Sequence, residues 1–119
     1  MGLQKAFTSG VETIFKTLQE TVKDSLYIVS NDDGFTETPF ETSTPMRAIL
    51  DKFTQEDVEK LSFHELIQPT DTKALIPGAD VTVTMRTSNI LRVEDRDFTI
   101  VAFVTDPFMA LYTLLLRDT

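Results

Sequence analysis

Cysteine is absent from this chain, which removes disulfides, thiolate metal sites and cysteine nucleophiles in one step. Glycine is scarce and scattered. Gly2, Gly10, Gly34 and Gly78 each stand alone, so no glycine-rich loop can cradle a phosphate. Basic residues are also few, 11 Lys and Arg against 19 Asp and Glu, for a net charge of −8. A protein that grips nucleic acid displaces counterions with clustered cations, so stable nucleic-acid binding is disfavoured. An acidic surface past which DNA slides without adhering stays open. Long apolar runs are missing as well: no window reaches the ~18 consecutive apolar residues of a membrane span. The first residues are amphipathic where a secretory signal would be continuously apolar. Met1-Gly2 invites a myristoylation reading, but Ala6 stands where that signal prefers Ser or Thr. The expectation is a soluble, unprocessed chain with no membrane contact. A length of 119 residues and 41% hydrophobic content suit a single domain around one core.

What is present begins with a helical stripe. Leu3, Phe7, Val11, Ile14, Phe15, Leu18 and Val22 fall in steps of three and four, which predicts a long amphipathic helix within residues 1–24. Gly10 is a weak point within it, at a cost of up to about 1 kcal/mol against Ala. The period then changes. Leu26-Tyr27-Ile28-Val29 reads as a strand, and the following polar stretch reads as a loop that runs through Thr42, Ser43 and Thr44 to Pro45. Residues 46–53 are predicted as a second strand, with Met46, Ala48 and Leu50 on one face. Thr54-Gln55-Glu56-Asp57 reads as a helix start with Thr54 as N-cap, although Asp57 stands where a full capping box carries Glu or Gln.

Beyond Pro69 the spacing predicts strands over 72–76, 81–85, 90–93, 98–105 and 109–117, with Glu94-Asp95-Arg96-Asp97 as a hairpin turn lacking glycine. Strands this closely spaced are usually antiparallel. The fold expected is α+β and mainly β: a small antiparallel barrel or sandwich of about six strands, covering 25–119. The long N-terminal helix would pack on it, and a loop insertion would fall at about 54–70. The last strand is apolar on both faces, and so is the stretch from Phe98 to Val104. Each therefore needs cover on its outer side, from the helix or from a neighbouring subunit.

Tests for chemistry return little. His64 sits between Phe63 and Glu65 with no nucleophile motif beside it. Asn31-Asp32-Asp33-Gly34 resembles a calcium loop, but with Gly34 at the sixth position Val29 and Phe40 fall where oxygen ligands are required. Glu94, Asp95 and Asp97 are interleaved with Arg92 and Arg96 and read as a solvated turn. No metal, cofactor or catalytic group is expected.

Three segments carry a family resemblance. They are Leu66-Ile67-Gln68-Pro69-Thr70-Asp71-Thr72-Lys73-Ala74-Leu75-Ile76-Pro77, the hairpin from Ile90 to Val104, and Asp106-Pro107 followed by the strand from Ala110 to Arg117. In this order they resemble the head–tail joining proteins of long-tailed bacteriophages, the stopper or head-completion family of the virion neck. The similarity covers about residues 46–117. It departs at Arg86-Thr87-Ser88-Asn89 and at Glu94-Asp95-Arg96-Asp97, where the family commonly has a Gly-Asp step and a Gly-Gly turn.

The resemblance implies a non-enzymatic virion protein that is assembled in the host cytoplasm into a ring of six or twelve copies. The ring would lie between the portal and adaptor proteins and the tail terminator or tail tube. It would close the DNA channel after packaging and touch packaged DNA only transiently. The channel-side loop would map to about residues 54–68. Channel or partner contacts would then be Gln55, Glu56, Asp57, Glu59, Lys60, Phe63, His64 and Glu65, with Lys73 beside them. Rival expectations are another neck or tail component, such as a tail terminator, and an acidic binding or inhibitor protein. An enzyme would have to use Glu94, Asp95 and His64.

Overall fold

Alternation of apolar residues builds the centre of the molecule, and the computed structural model describes residues 2–17, 21–31 and 40–119 of it. Six antiparallel strands close into a barrel: β1 (Val22–Asn31), β2 (Phe40–Asp51), β3 (Thr72–Pro77), β4 (Ile90–Val93), β5 (Arg96–Thr105) and β6 (Leu111–Asp118). Around the barrel the order is β1-β2-β3-β6-β5-β4, with β4 returning to β1. Of the two architectures expected, barrel and sandwich, the chain therefore adopts the barrel. Closure removes most free sheet edges.

The barrel interior is filled by one side of every strand. Tyr27, Met46, Ala48, Ala74, Ile76, Leu91, Val93, Phe98, Ile100, Leu114 and Leu116 are all buried there. Met46 and Ala48 face inward as expected, with Leu50 packed partly against the same core. On β5 a bulge between Ile100 and Ala102 inserts one residue and resets the alternation. Phe103 can therefore face inward like Phe98 and Ile100 before it.

The helix α1 (Gly2–Thr17) lies outside the barrel. Its Val11 and Phe15 are buried with Ile49 and Ala110, and Val22, Leu75 and Leu111 pack against them. Cover is thus provided for the outer side of β2, β3 and β6. The helix ends earlier than the stripe predicts. Val22 is the first residue of β1, paired opposite Ile49, because a β-branched residue at that point gains more from the sheet than from another helical turn. Residues 22–24 accordingly belong to the barrel, and residues 18–20 lie outside those described.

Four other expectations are corrected. Thr42, Ser43, Thr44 and Pro45 are not loop: they pair with Val29, Ile28, Tyr27 and Leu26 in a continuous β1–β2 ladder. Of the calcium-like loop, Asn31 ends β1 opposite Phe40, and residues 32–39 lie outside those described. Residues 81–85 form no strand. After the 3₁₀ turn Gly78–Asp80 the chain runs over one mouth of the barrel instead, with Met85 buried in the core. The Tyr27 hydroxyl reaches up to this crossing, accepting from the Arg86 N–H at 2.9 Å and from Asn89 Nδ2 at 2.7 Å. The β4–β5 turn is narrower than expected: Glu94 and Asp95 alone connect the strands, both with positive φ. Met109 belongs to the β5–β6 turn, and β6 starts at Leu111.

The barrel thus has two distinct ends. One carries the crossing over 78–89, the far part of the β1–β2 ladder and the turn over 106–110. The other carries the Glu94-Asp95 turn, the start of β1, and the excursion between β2 and β3.

Candidate functional site

The excursion over residues 52–71 is the largest departure from the barrel among the described residues, and it gathers eight of the nine residues singled out in the sequence. It opens with α2 (Gln55–Lys60). Thr54 caps this helix: Asp57 N–H donates to Thr54 Oγ1 at 3.1 Å, and Thr54 N–H donates to Asp57 Oδ2 at 2.8 Å. The capping box is therefore complete, with Asp doing what Glu or Gln usually does. Glu56 pairs with Lys60 and Gln55 donates to Glu59 one turn on, both on the exposed surface. Such pairs contribute only a few tenths of a kcal/mol, about 0.3–0.5, to a helix.

No residue of α2 is buried. What holds the excursion is one carboxylate of this helix, Asp57, together with residues beyond it. Phe63 is buried and meets Phe53 edge-to-face, centroids 6.0 Å apart. A 3₁₀ turn, His64–Leu66, follows and leaves His64, Glu65 and Leu66 exposed. His64 Nδ1 lies 2.9 Å from the Leu61 carbonyl oxygen.

Two ion pairs complete the attachment. Lys73, the ninth candidate, sits on β3, and its ammonium donates to Asp57 Oδ2 at 2.7 Å, with only 14% of its side chain exposed. Lys73 is paired across the ladder with Leu115, which is fully buried although its neighbours Leu114 and Leu116 point inward. Leu115 thus faces out of the barrel and needs cover. The excursion, drawn onto this side by the Asp57–Lys73 pair, is positioned to supply it.

The second pair was not anticipated. The fully buried Asp71 carboxylate accepts from Arg117 Nε and Nη2, each at 2.9 Å, and from the Gln68 N–H at 2.8 Å. Arg117 Nη2 also donates to the Leu66 carbonyl at 2.9 Å. The return leg is therefore latched to the last strand by one forked guanidinium.

Both carboxylates are held ionised. Burial alone would push Asp57 up, but the Lys73 ammonium and the Thr54 donors outweigh it and leave it below its ordinary range. Asp71 is likewise pushed up by burial and drawn down further by Arg117 and the Gln68 N–H. A third charged junction ties α1 to the barrel. Arg47 on β2 forks onto Glu12 at 2.9 and 3.1 Å and onto Asp80 at 2.9 and 3.0 Å. Its guanidinium lies 5.6 Å from the Phe15 ring centroid. The hydrogen bond to Arg47 lowers Glu12, and the two acids together raise Arg47.

The outward side of the excursion is acidic, with Glu56, Glu59 and Glu65 exposed, and carries two uncovered aliphatics, Val58 and Leu66. Of the three enzyme candidates, His64 lies in the excursion itself, whereas Glu94 and Asp95 form the β4–β5 turn, where Glu94 pairs with Lys23 of β1. A groove of about 580 Å³ runs over β1, β2 and β4, lined by Leu26, Pro45 and Met46 between charged groups of both signs. Among the described residues no group of acids and histidines is arranged to hold a metal ion, and no buried side-chain polar atom lacks a partner. No helix among them is long and apolar enough to cross a membrane. The excursion is thus an acidic element fastened to the barrel by the Asp57–Lys73 and Asp71–Arg117 pairs. No protein-family model matches the chain, and no curated protein matches it.

Proposed function

We propose that this chain is a structural protein of the bacteriophage neck, a head–tail joining protein of the stopper or head-completion type. Copies form a ring of six or twelve that joins portal and adaptor proteins to the tail terminator or tail tube. The ring holds the packaged DNA and belongs to the virion, having been assembled in the host cytoplasm. One observation carries the reading. The three segments that resemble the family become the neighbouring strands β3, β6, β5 and β4 of one closed barrel, and the chain between β2 and β3 leaves that barrel as a separate acidic element. A rigid barrel supplies the ring wall, and the excursion supplies the part that faces the channel or the next ring. Its exposed Glu56, Glu59 and Glu65 repel a DNA backbone, which suits a lumen that DNA crosses without adhering.

Deleting the gene from a phage that encodes this chain tests the reading. The expected result is capsids that package DNA, lose it, and accept no tails, with both defects restored by the purified protein. Capsids that keep their DNA and join tails without it would sink the proposal and favour an acidic inhibitor of a basic host partner. Capsids that keep their DNA while tails remain unfinished would move the protein to the tail terminator position.

A further inference from the structure

Among the described residues, the closed barrel leaves two strand segments unpaired on one side, and they match. On β2, Arg47 donates its backbone N–H away from β1, to Asp80 Oδ2 at 2.8 Å. Residues two apart turn their backbone groups the same way, so Glu41, Ser43 and Pro45 also face away from β1. The strand on that side, β3, pairs only with Ile49, Leu50 and Asp51. The outward backbone groups of Glu41, Ser43 and Pro45 therefore have no partner among the described residues, and all three residues are exposed. Pro45 has no N–H to satisfy, as suits an open edge.

On β5 the last contacts on the β4 side are those of Ile100, which accepts from Ser88 N–H at 2.8 Å and donates to Asn89 O at 2.9 Å. After the bulge, Phe103 and Thr105 turn their backbone groups to that same side, which β4 no longer reaches. The outer faces of Ala102 and Val104 stay half-exposed, while the described α1 side chains Val11 and Phe15 pack with residues of β2, β3 and β6.

We infer that the edge of β2 over residues 41–45 takes up the edge of β5 over residues 103–105 from a second copy of this chain, as an antiparallel pair. The inference deepens the ring reading above and rests on it for the presence of neighbouring copies. Three relationships favour this occupant. Counting either way round the six-stranded barrel, β2 and β5 are three strands apart, so the two edges lie on opposite sides of the molecule. Both open segments lie toward the same end, beyond the Ile49–Leu75 and Ile90–Thr99 pairings. Within one molecule β2 and β5 run in opposite directions, so copies standing side by side in the same orientation bring them together antiparallel. A contact between two different patches propagates from copy to copy and closes into a ring when the rotation allows it. It also covers the half-exposed Ala102 and Val104.

Proline substitutions block each edge separately: Ser43→Pro on β2 and Thr105→Pro on β5, with circular dichroism confirming the fold of each. Native mass spectrometry of the wild-type chain is expected to show oligomers. Each variant alone should be monomeric, and the two mixed in equal amounts should form one-to-one dimers that stop there, since only one intact junction remains. Val104→Lys, on a half-exposed position that leaves both backbone edges intact, should weaken association at least tenfold. A monomeric wild type, a variant that assembles like the wild type, or a mixture that stays monomeric overturns the inference. If phage necks form with Ser43→Pro protein as they do with wild type, the strand contact fails while the neck reading stands. If the oligomer forms as described but gene deletion leaves necks intact, the reverse holds.

Discussion

Gly78 lies so close to the backbone of Met109 that a Cβ added to it would come within 1.8 Å of the Met109 carbonyl oxygen. The same glycine donates its N–H to the Ala110 carbonyl at 2.8 Å. Met109 itself has a φ of 54°, so the 106–110 turn is already committed to a strained shape and cannot retreat. Pro77 ends β3 here because it cannot extend the ladder. Gly78→Ala is expected to destabilise the fold by about 2–4 kcal/mol, in the range of severe backbone overpacking. Chemical denaturation measures it, and a loss below about 1 kcal/mol would show that the turn can move aside.

The excursion should detach without the barrel unfolding. Asp57→Asn weakens its pair with Lys73, and Asp71→Asn takes the charge from a buried carboxylate that accepts three hydrogen bonds. With hydrogen bonds to charged groups contributing about 1.5–3 kcal/mol each way, Asp71→Asn is expected to cost about 2–3 kcal/mol and Asp57→Asn less. Hydrogen exchange should then quicken over 55–68 while β4, β5 and β6 stay protected. Uniform loss of protection across the barrel would mean that the latch is part of the global core.

How much of this was legible in the sequence depends on how far apart the partners lie. The stop at Pro77-Gly78, the capping residues Thr54 and Asp57, and the alternation of Met46, Ala48 and Leu50 are all local signals. The first two mark their elements correctly, and the third marks the inner face of a strand that runs over Phe40–Asp51 rather than over 46–53. Val81, Val83 and Met85 alternate like a strand, yet Asp80 is held by Arg47 and the Arg86 N–H by Tyr27. These partners are 33 and 59 positions away, and no local pattern announces them. Thr42, Ser43 and Thr44 read as loop because they are polar, although threonine is a good strand residue where one side meets solvent. Arg117 could have been suspected as a cation at the end of an apolar strand, but nothing in the sequence pairs it with Asp71.

One hydroxyl ties the 81–89 crossing to the barrel interior, beside buried Met85 and the Ser88 and Asn89 backbone bonds to Ile100. Tyr27 is 1% exposed, and its oxygen accepts from both Arg86 N and Asn89 Nδ2. Tyr27→Phe keeps the ring in the core and strands both donors, so a loss of about 1–3 kcal/mol is expected. Amide exchange should rise over 81–89 ahead of the strands. An unchanged melting temperature would show that water replaces the hydroxyl at no cost.

The β4–β5 turn is open to improvement. Glu94 and Asp95 have φ of 52° and 65°, a region that costs an L-residue roughly 1–2 kcal/mol and a glycine almost nothing. Asp95→Gly should therefore stabilise the chain by about 0.5–1 kcal/mol, while the Lys23–Glu94 pair is left in place. A drop in stability would mean that Asp95 makes a contribution its backbone angle hides.

Acid should unfold the protein through its latches. Glu12, Asp57, Asp71 and Asp80 are all held below their ordinary range: an Arg47 hydrogen bond lowers Glu12, while for the three aspartates paired cations and donors outweigh the upward push of burial. The folded chain thus binds protons less readily than the unfolded one. The stabilisation is fully present above the unfolded carboxyl values of about 4 and is lost as pH falls through the lower folded values. Denaturation midpoints should be flat from neutral pH down to about 5 and then fall steadily below about 4. Asp71→Asn, which deletes one of the titrating latches, should fall less steeply over the same window than the wild type. Equal slopes for the two proteins would show that the Asp71–Arg117 latch takes no part in acid unfolding, and that the excursion opens before the barrel begins to protonate.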